Sequence, residues 1–94
     1  MGTAGLSFAL TGLRPNPSRG SRLGVEFTLA LASPARLELL DVGGRRVAAR
    51  EVGTLGAGSH VIDLAAGRRL APGLYMVRLT QGVQVRTARA VILE

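Results

Sequence analysis

The side chains able to carry chemistry are few. The chain has one histidine (His60), five serines (Ser7, Ser18, Ser21, Ser33 and Ser59) and no cysteine. Its carboxylates are Glu26, Glu38, Glu51, Glu94, Asp41 and Asp63. A serine hydrolase needs a nucleophile, a base and an orienting acid that converge. Such a triad would have to use His60 with Asp41 or Asp63, and Asp63, three positions along a strand, points to the opposite face. The chain contains no G-x-S-x-G elbow, the sharp turn that exposes a nucleophile in many hydrolases. A transition-metal site would have to be built from a lone histidine and carboxylates, and there is no Asp/Asn-rich calcium loop. The stretch Gly53-Thr54-Leu55-Gly56-Ala57-Gly58 has the glycines of a phosphate loop. Its order is not the dinucleotide one, it lacks Lys-Ser/Thr, and a strand pattern follows instead of a helix. Glu26 and Glu38 alternate with arginines and read as a solvated sheet face. These observations point to a protein that is not an enzyme and carries no cofactor or metal.

Charge is the other chemical feature. All twelve basic residues are arginine, and the formal net charge is +6. The arginines are scattered, with two adjacent pairs (Arg45-Arg46 and Arg68-Arg69). Nucleic-acid binders concentrate charge on one face and add stacking aromatics. Here the aromatics are Phe8, Phe27 and Tyr75 alone. The distribution therefore fits a solvated surface first, a basic face toward an anionic glycan or lipid head group second, and nucleic acid least.

The elements that would position these residues are strands. Apolar residues alternate with polar or small ones at period two almost everywhere, and no convincing helical period occurs. Leu6, Phe8 and Leu10 form the first such run. Arg14-Pro15-Asn16-Pro17-Ser18-Arg19-Gly20 follows and reads as a loop, because two prolines remove two backbone donors. Leu23, Val25, Phe27, Leu29 and Leu31 give the clearest strand. Ala35, Leu37 and Leu39 form the next, and Asp41-Val42-Gly43-Gly44-Arg45 turns the chain into Val47–Val52. His60, Ile62 and Leu64 alternate, then Tyr75, Val77 and Leu79. Gln81-Gly82 closes a second hairpin, and Val83 to Leu93 returns. Val83 and Val85 are in phase, but after Thr87 the set Ala88, Ala90 and Ile92 competes with Val91 and Leu93, and a bulge near Thr87 to Arg89 would reconcile them.

Seven strands spaced by turn signals over 94 residues predict one all-β domain, a seven-stranded immunoglobulin-like β-sandwich with Greek-key connections. The expected core is Phe8, Val25, Phe27, Leu29, Leu37, Leu39, Ile62, Tyr75, Val77 and Leu79. The run Leu70-Ala71-Pro72-Gly73-Leu74-Tyr75 suits a tyrosine corner, in which the phenol bonds back to nearby backbone. His60 reads as a strand residue packed at a sheet end. No signal peptide is visible, so export would depend on a signal upstream, and the chain reads as the C-terminal module of a longer exported protein.

Five segments in order carry a resemblance. They are Pro15-Asn16-Pro17, Asp41-Val42-Gly43-Gly44-Arg45-Arg46-Val47, Gly58-Ser59-His60, Leu70–Tyr75, and the Gln81-Gly82 hairpin with its closing apolar strand. Together they resemble the type A C-terminal sorting domains of the type IX secretion system, and the related Ig-like domain of the flagellar hook-capping protein. The resemblance implies structural roles for Pro15, Asn16, Pro17, Asp41, Gly44, Arg45, His60, Pro72, Gly73 and Tyr75. It implies a domain read by an outer-membrane translocon, a sortase-like protease that removes it, and an attached upstream cargo. Anionic lipopolysaccharide is a further expected partner. The path would run through the periplasm to the cell surface or the medium. The expected recognition surface is the last hairpin with Arg78, Arg86 and Arg89. Two other readings use the same fold: a structural module for extracellular spacing or fibre assembly, with Met1 to Leu13 as a donor strand, and a carbohydrate-binding module. The latter has little to stack sugars on, with one Tyr and no Trp.

Overall fold

Strand formation follows the alternation, and the turns follow the glycines and prolines. The computed structural model describes residues 7–19, 22–65 and 68–93. Leu6 and Glu94 lie outside them, as do Gly20, Ser21, Ala66 and Gly67. In chain order the strands are β1 (Ala9–Leu13), β2 (Ser18–Arg19), β3 (Gly24–Leu29), β4 (Arg36–Leu40), β5 (Arg46–Glu51), β6 (Gly58–Asp63), β7 (Gly73–Gln81) and β8 (Gln84–Leu93). A 3₁₀ turn spans Gly53–Leu55. One sheet has the order β1-β3-β6 and the other β2-β8-β7-β4-β5. Every pairing is antiparallel except the short parallel one of β2 with β8.

The core lies between the two sheets. Val25, Phe27 and Leu29 of β3 point inward with no exposed surface, while Gly24, Glu26 and Thr28 alternate outward. Leu37 and Leu39 of β4, Val77 and Leu79 of β7, and Ala90 and Ile92 of β8 meet them from the opposite sheet. Each fully buried Val, Leu or Phe side chain stabilises the fold by about 1.5–3 kcal/mol relative to exposure. Val52, Leu64, Ala65 and Leu70 close the ends from the connections. Tyr75, expected inside, is only half-buried at the core's margin.

Three sequence expectations need correction. First, there are eight strands among the described residues and not seven. The extra one, β2, falls in the proline loop and pairs Ser18 with Ile92 and Arg19 with Leu93. Two residues are too few to show a period, so alternation could not reveal it. Second, β8 has no bulge near Thr87 to Arg89; its register with β7 is continuous from Gln84 to Ile92. The phase conflict disappears because the hairpin tip reaches past the core. Val83 is 97% exposed and Val85 47%, so only Ala88, Ala90 and Ile92 need to face inward. The irregular steps lie instead between Leu10 and Gly12 in β1, and between Leu39 and Leu40 where β4 meets β5. Third, Ala9–Leu13, part of the segment considered as a donor strand, is already paired with β3.

Candidate recognition surface

The β7–β8 hairpin carries three arginines and no carboxylate. The structure gives these arginines three different surroundings. The Nε of Arg78 donates to Glu38 Oε1 at 2.9 Å, and the Nη1 of Arg46 reaches Glu38 Oε2 at 3.4 Å. Glu38 is therefore not solvated as its alternation suggested; it is 6% exposed beneath two guanidinium groups. The hydrogen bond from Arg78 holds its carboxyl below the usual glutamate range, assisted by both arginine charges and opposed by burial. Arg86 is on the other face of the hairpin. Its guanidinium carbon lies 5.2 Å from the centroid of the Phe8 ring, a cation–π contact, and its Nη1 donates to Val85 O at 3.0 Å. Arg89 is exposed opposite Met76 on the outer face. It borders a recess of about 360 Å³ shared with Asp41, Val42, Leu74, Tyr75 and Met76. Since Arg78 pairs with Thr87, Arg78 and Arg89 are diagonal neighbours on one face, and Arg86 is separated from both.

The motif residues hold turns and edges. Arg14–Pro15 and Asn16–Pro17 are cis, and the Ser18 hydroxyl donates to Pro15 O. The side chain of Asn16 reaches β8: its Oδ1 accepts from Val91 N at 3.1 Å, and its Nδ2 donates to Arg89 O at 3.4 Å. Asp41 organises its turn through Oδ1, which accepts from Gly43 N and Arg45 N, each at 2.9 Å. Gly44 takes φ +84° there, a conformation that favours glycine. Arg45 Nε also donates to Asp41 Oδ2 at 3.3 Å. The amide of Arg45, above all, lowers the Asp41 pKa, with its guanidinium charge and the Gly43 amide adding to the effect. His60 Nε2 donates to Gly56 O at 2.7 Å, and its ring lies 5.6 Å from that of Phe27. The Tyr75 hydroxyl donates to Ala71 O at 2.6 Å across Pro72 and Gly73.

Three further polar side chains have bonding roles that the sequence did not reveal. Glu51 Oε2 accepts from Ala35 N at 3.0 Å and Gly53 N at 2.9 Å. Asp63 Oδ1 accepts from Leu23 N and Ala65 N, each at 3.0 Å. Gln81, 4% exposed, donates from Nε2 to Leu31 O at 3.0 Å and Ser33 O at 2.9 Å. Only the Glu51–Gly53 and Asp63–Ala65 bonds leave a local trace, an acid two residues before the amide it caps. A second concavity of about 650 Å³ mixes Arg14, Arg19 and Arg22 with Asp63, and Arg14 there is bound to Glu26 at 2.7 Å.

Two packed sheets, acids bound to turn amides and arginines, and a last hairpin whose base lies in the core and whose tip reaches past it define a small all-β module. The chain belongs to the family of secretion system C-terminal sorting domains, whose family model matches residues 13–94. Such a type IX sorting domain marks proteins that travel through the periplasm to the cell surface or the extracellular space. No curated protein matches the chain. Among solved structures, CopC from Methylosinus trichosporium OB3b is similar in fold, with TM-score 0.52 and 14% identity over 92% of this chain and 93% of that one.

Proposed function

We propose that this chain is a non-catalytic sorting domain with an immunoglobulin-like, Greek-key β-sandwich, and that it takes an attached upstream cargo through the outer membrane. The family match over residues 13–94 carries the reading. The β7–β8 hairpin is the surface offered to the translocon, with Arg78 and Arg89 on its outer face and Arg86 at its side. The residues of the Pro15–Pro17 loop, the Asp41–Arg45 turn, His60 and the Pro72–Tyr75 corner shape the domain that presents it. A sortase-like protease acting after transport, and anionic lipopolysaccharide as the acceptor of the cargo, complete the reading.

The test is an export assay. The whole chain is fused behind a reporter bearing a signal peptide and expressed in a type IX-competent host, with a secretion-deficient host as control. The reporter reaches the surface or medium only in the competent host. A folded fusion retained in the periplasm of both hosts refutes the proposal.

A further inference from the structure

The two edges of β8 are partnered unevenly. On one side β7 pairs with it from Gln84 to Ile92. On the other side β2 pairs with Ile92 and Leu93, the Asn16 side chain bonds Arg89 O and Val91 N, and Phe8 and Gly12 from the other sheet approach the side chains of Arg86 and Ala88 without pairing with the strand. Those two bonds show which backbone groups point away from β7. They belong to residues 89 and 91, and the alternation of an antiparallel strand adds 85 and 87. Val85 O accepts from the Arg86 guanidinium. Among the described residues, no strand pairs with β8 on this side before Ile92.

From this edge we infer that Val85 to Arg89 takes an extended acidic segment of a partner protein as an added strand, with Asn16 marking where that strand stops. The inference rests on the sorting reading and names the chemistry of the partner. Strand addition draws affinity from main-chain bonds and specificity from alternate side chains. Exposed edges are usually blunted by charge, proline or shortness. The far edge of this sheet, β5, carries Arg46, Arg50 and Glu51. The Asn16 end of β8 is flanked by two prolines, which donate no N–H. Between these guarded ends, β8 presents the 47% exposed Val85 and then Thr87. Charge decides the occupant. The hairpin has no carboxylate and the chain is +6, so a second copy would bring like charge, whereas an acidic strand would meet Arg86 and Arg89.

Amide hydrogen exchange by NMR tests this on the full chain. The probes are a capped seven-residue peptide of adjacent glutamate pairs between valines, which places an acid on each face of the added strand, and its lysine counterpart. The acidic peptide slows exchange of the Val85 and Thr87 amides about tenfold or more, and the lysine peptide does not. T87P removes an outward donor while leaving the β7 ladder intact, and abolishes the effect; V85P serves the same purpose if T87P does not fold. The inference is overturned if the acidic peptide gives no slowing, if the lysine peptide protects equally, or if both folded proline variants still respond. It is also overturned if Val85 and Thr87 are already protected in the free chain, whether by its own residues or by a second copy at high concentration. The export of the wild-type fusion is read separately, so a negative peptide result with export intact removes this inference alone.

Discussion

Replacing Glu38 with Gln keeps the size of the side chain and removes its charge. In the native domain the Glu38 side chain is buried, and its carboxylate accepts from Arg78 at 2.9 Å and Arg46 at 3.4 Å. A hydrogen bond to a charged group contributes about 1.5–3 kcal/mol when both partners are buried. Here the arginine side chains are 40% and 53% exposed and regain water when released, so the sum is discounted toward the surface range. E38Q therefore costs about 2 kcal/mol at neutral pH. For a domain of this size that is a fall in Tm of about 8–16 °C.

The pH dependence has a definite sign. The folded-state pKa of Glu38 is lowered from 4.5, chiefly by the Arg78 hydrogen bond. Its stabilisation is fully present above the unfolded value and is lost as pH falls through the lower folded one. The difference between wild type and E38Q is thus greatest above about pH 5 and shrinks as the solution is acidified through the native pKa. Asp41 is shifted in the same direction and stays in both proteins, so it cancels in the difference. Urea unfolding followed by far-ultraviolet circular dichroism measures both curves. A difference below about 0.5 kcal/mol at pH 7, or one that does not shrink in acid, refutes the reasoning.

Three further substitutions probe separate parts of the fold. Phe27, with no exposed surface and its ring against His60, loses about 3–5 kcal/mol when changed to Ala, read by the same urea titration; a loss under about 1 kcal/mol removes it from the core. Q81L leaves the carbonyls of Leu31 and Ser33 without the donor they now share and costs about 1–3 kcal/mol, with faster exchange confined to the loop between β3 and β4. Y75F deletes the bond to Ala71 O and costs about 1 kcal/mol, read as a lower thermal midpoint without change of fold.

What was legible in the sequence depended on how far a residue had to reach. The alternation from Leu23 to Leu29 is a property of one strand and fixes its inward face without knowledge of a partner. The Asp41 turn closes on amides two and four residues away, and Tyr75 bonds a carbonyl four residues before it; both fall within a motif. Glu38 meets Arg78 across 40 residues, Gln81 meets Ser33 across 48, and Asn16 meets Val91 across 75. Each of these needs a strand register that no local pattern encodes. Asn16 shows the consequence most sharply. Its two prolines read as the end of regular pairing, yet Ser18 and Arg19 just beyond them pair with β8, and the side-chain amide between the prolines supplies the pair of bonds that a neighbouring strand would have made to Arg89 and Val91.

The same distinction governs the charge. Along the chain the arginines look scattered and the acids look like their solvated partners. In three dimensions each described carboxylate is engaged in the fold: Glu26 by Arg14, Glu38 by Arg46 and Arg78, Asp41 by its turn, and Glu51 and Asp63 by backbone amides. The fold commits its acids to holding turns and strands together, Glu38 from a buried position and Glu51 and Asp63 from exposed ones. Among the described residues the last hairpin has no carboxylate of its own, and the acid that reaches it, Glu38 of β4, pairs with Arg78 and leaves Arg86 and Arg89 as outward positive charge. The sign of the surface a partner meets is therefore set by where the acids are used, and not by how the arginines are spaced in sequence.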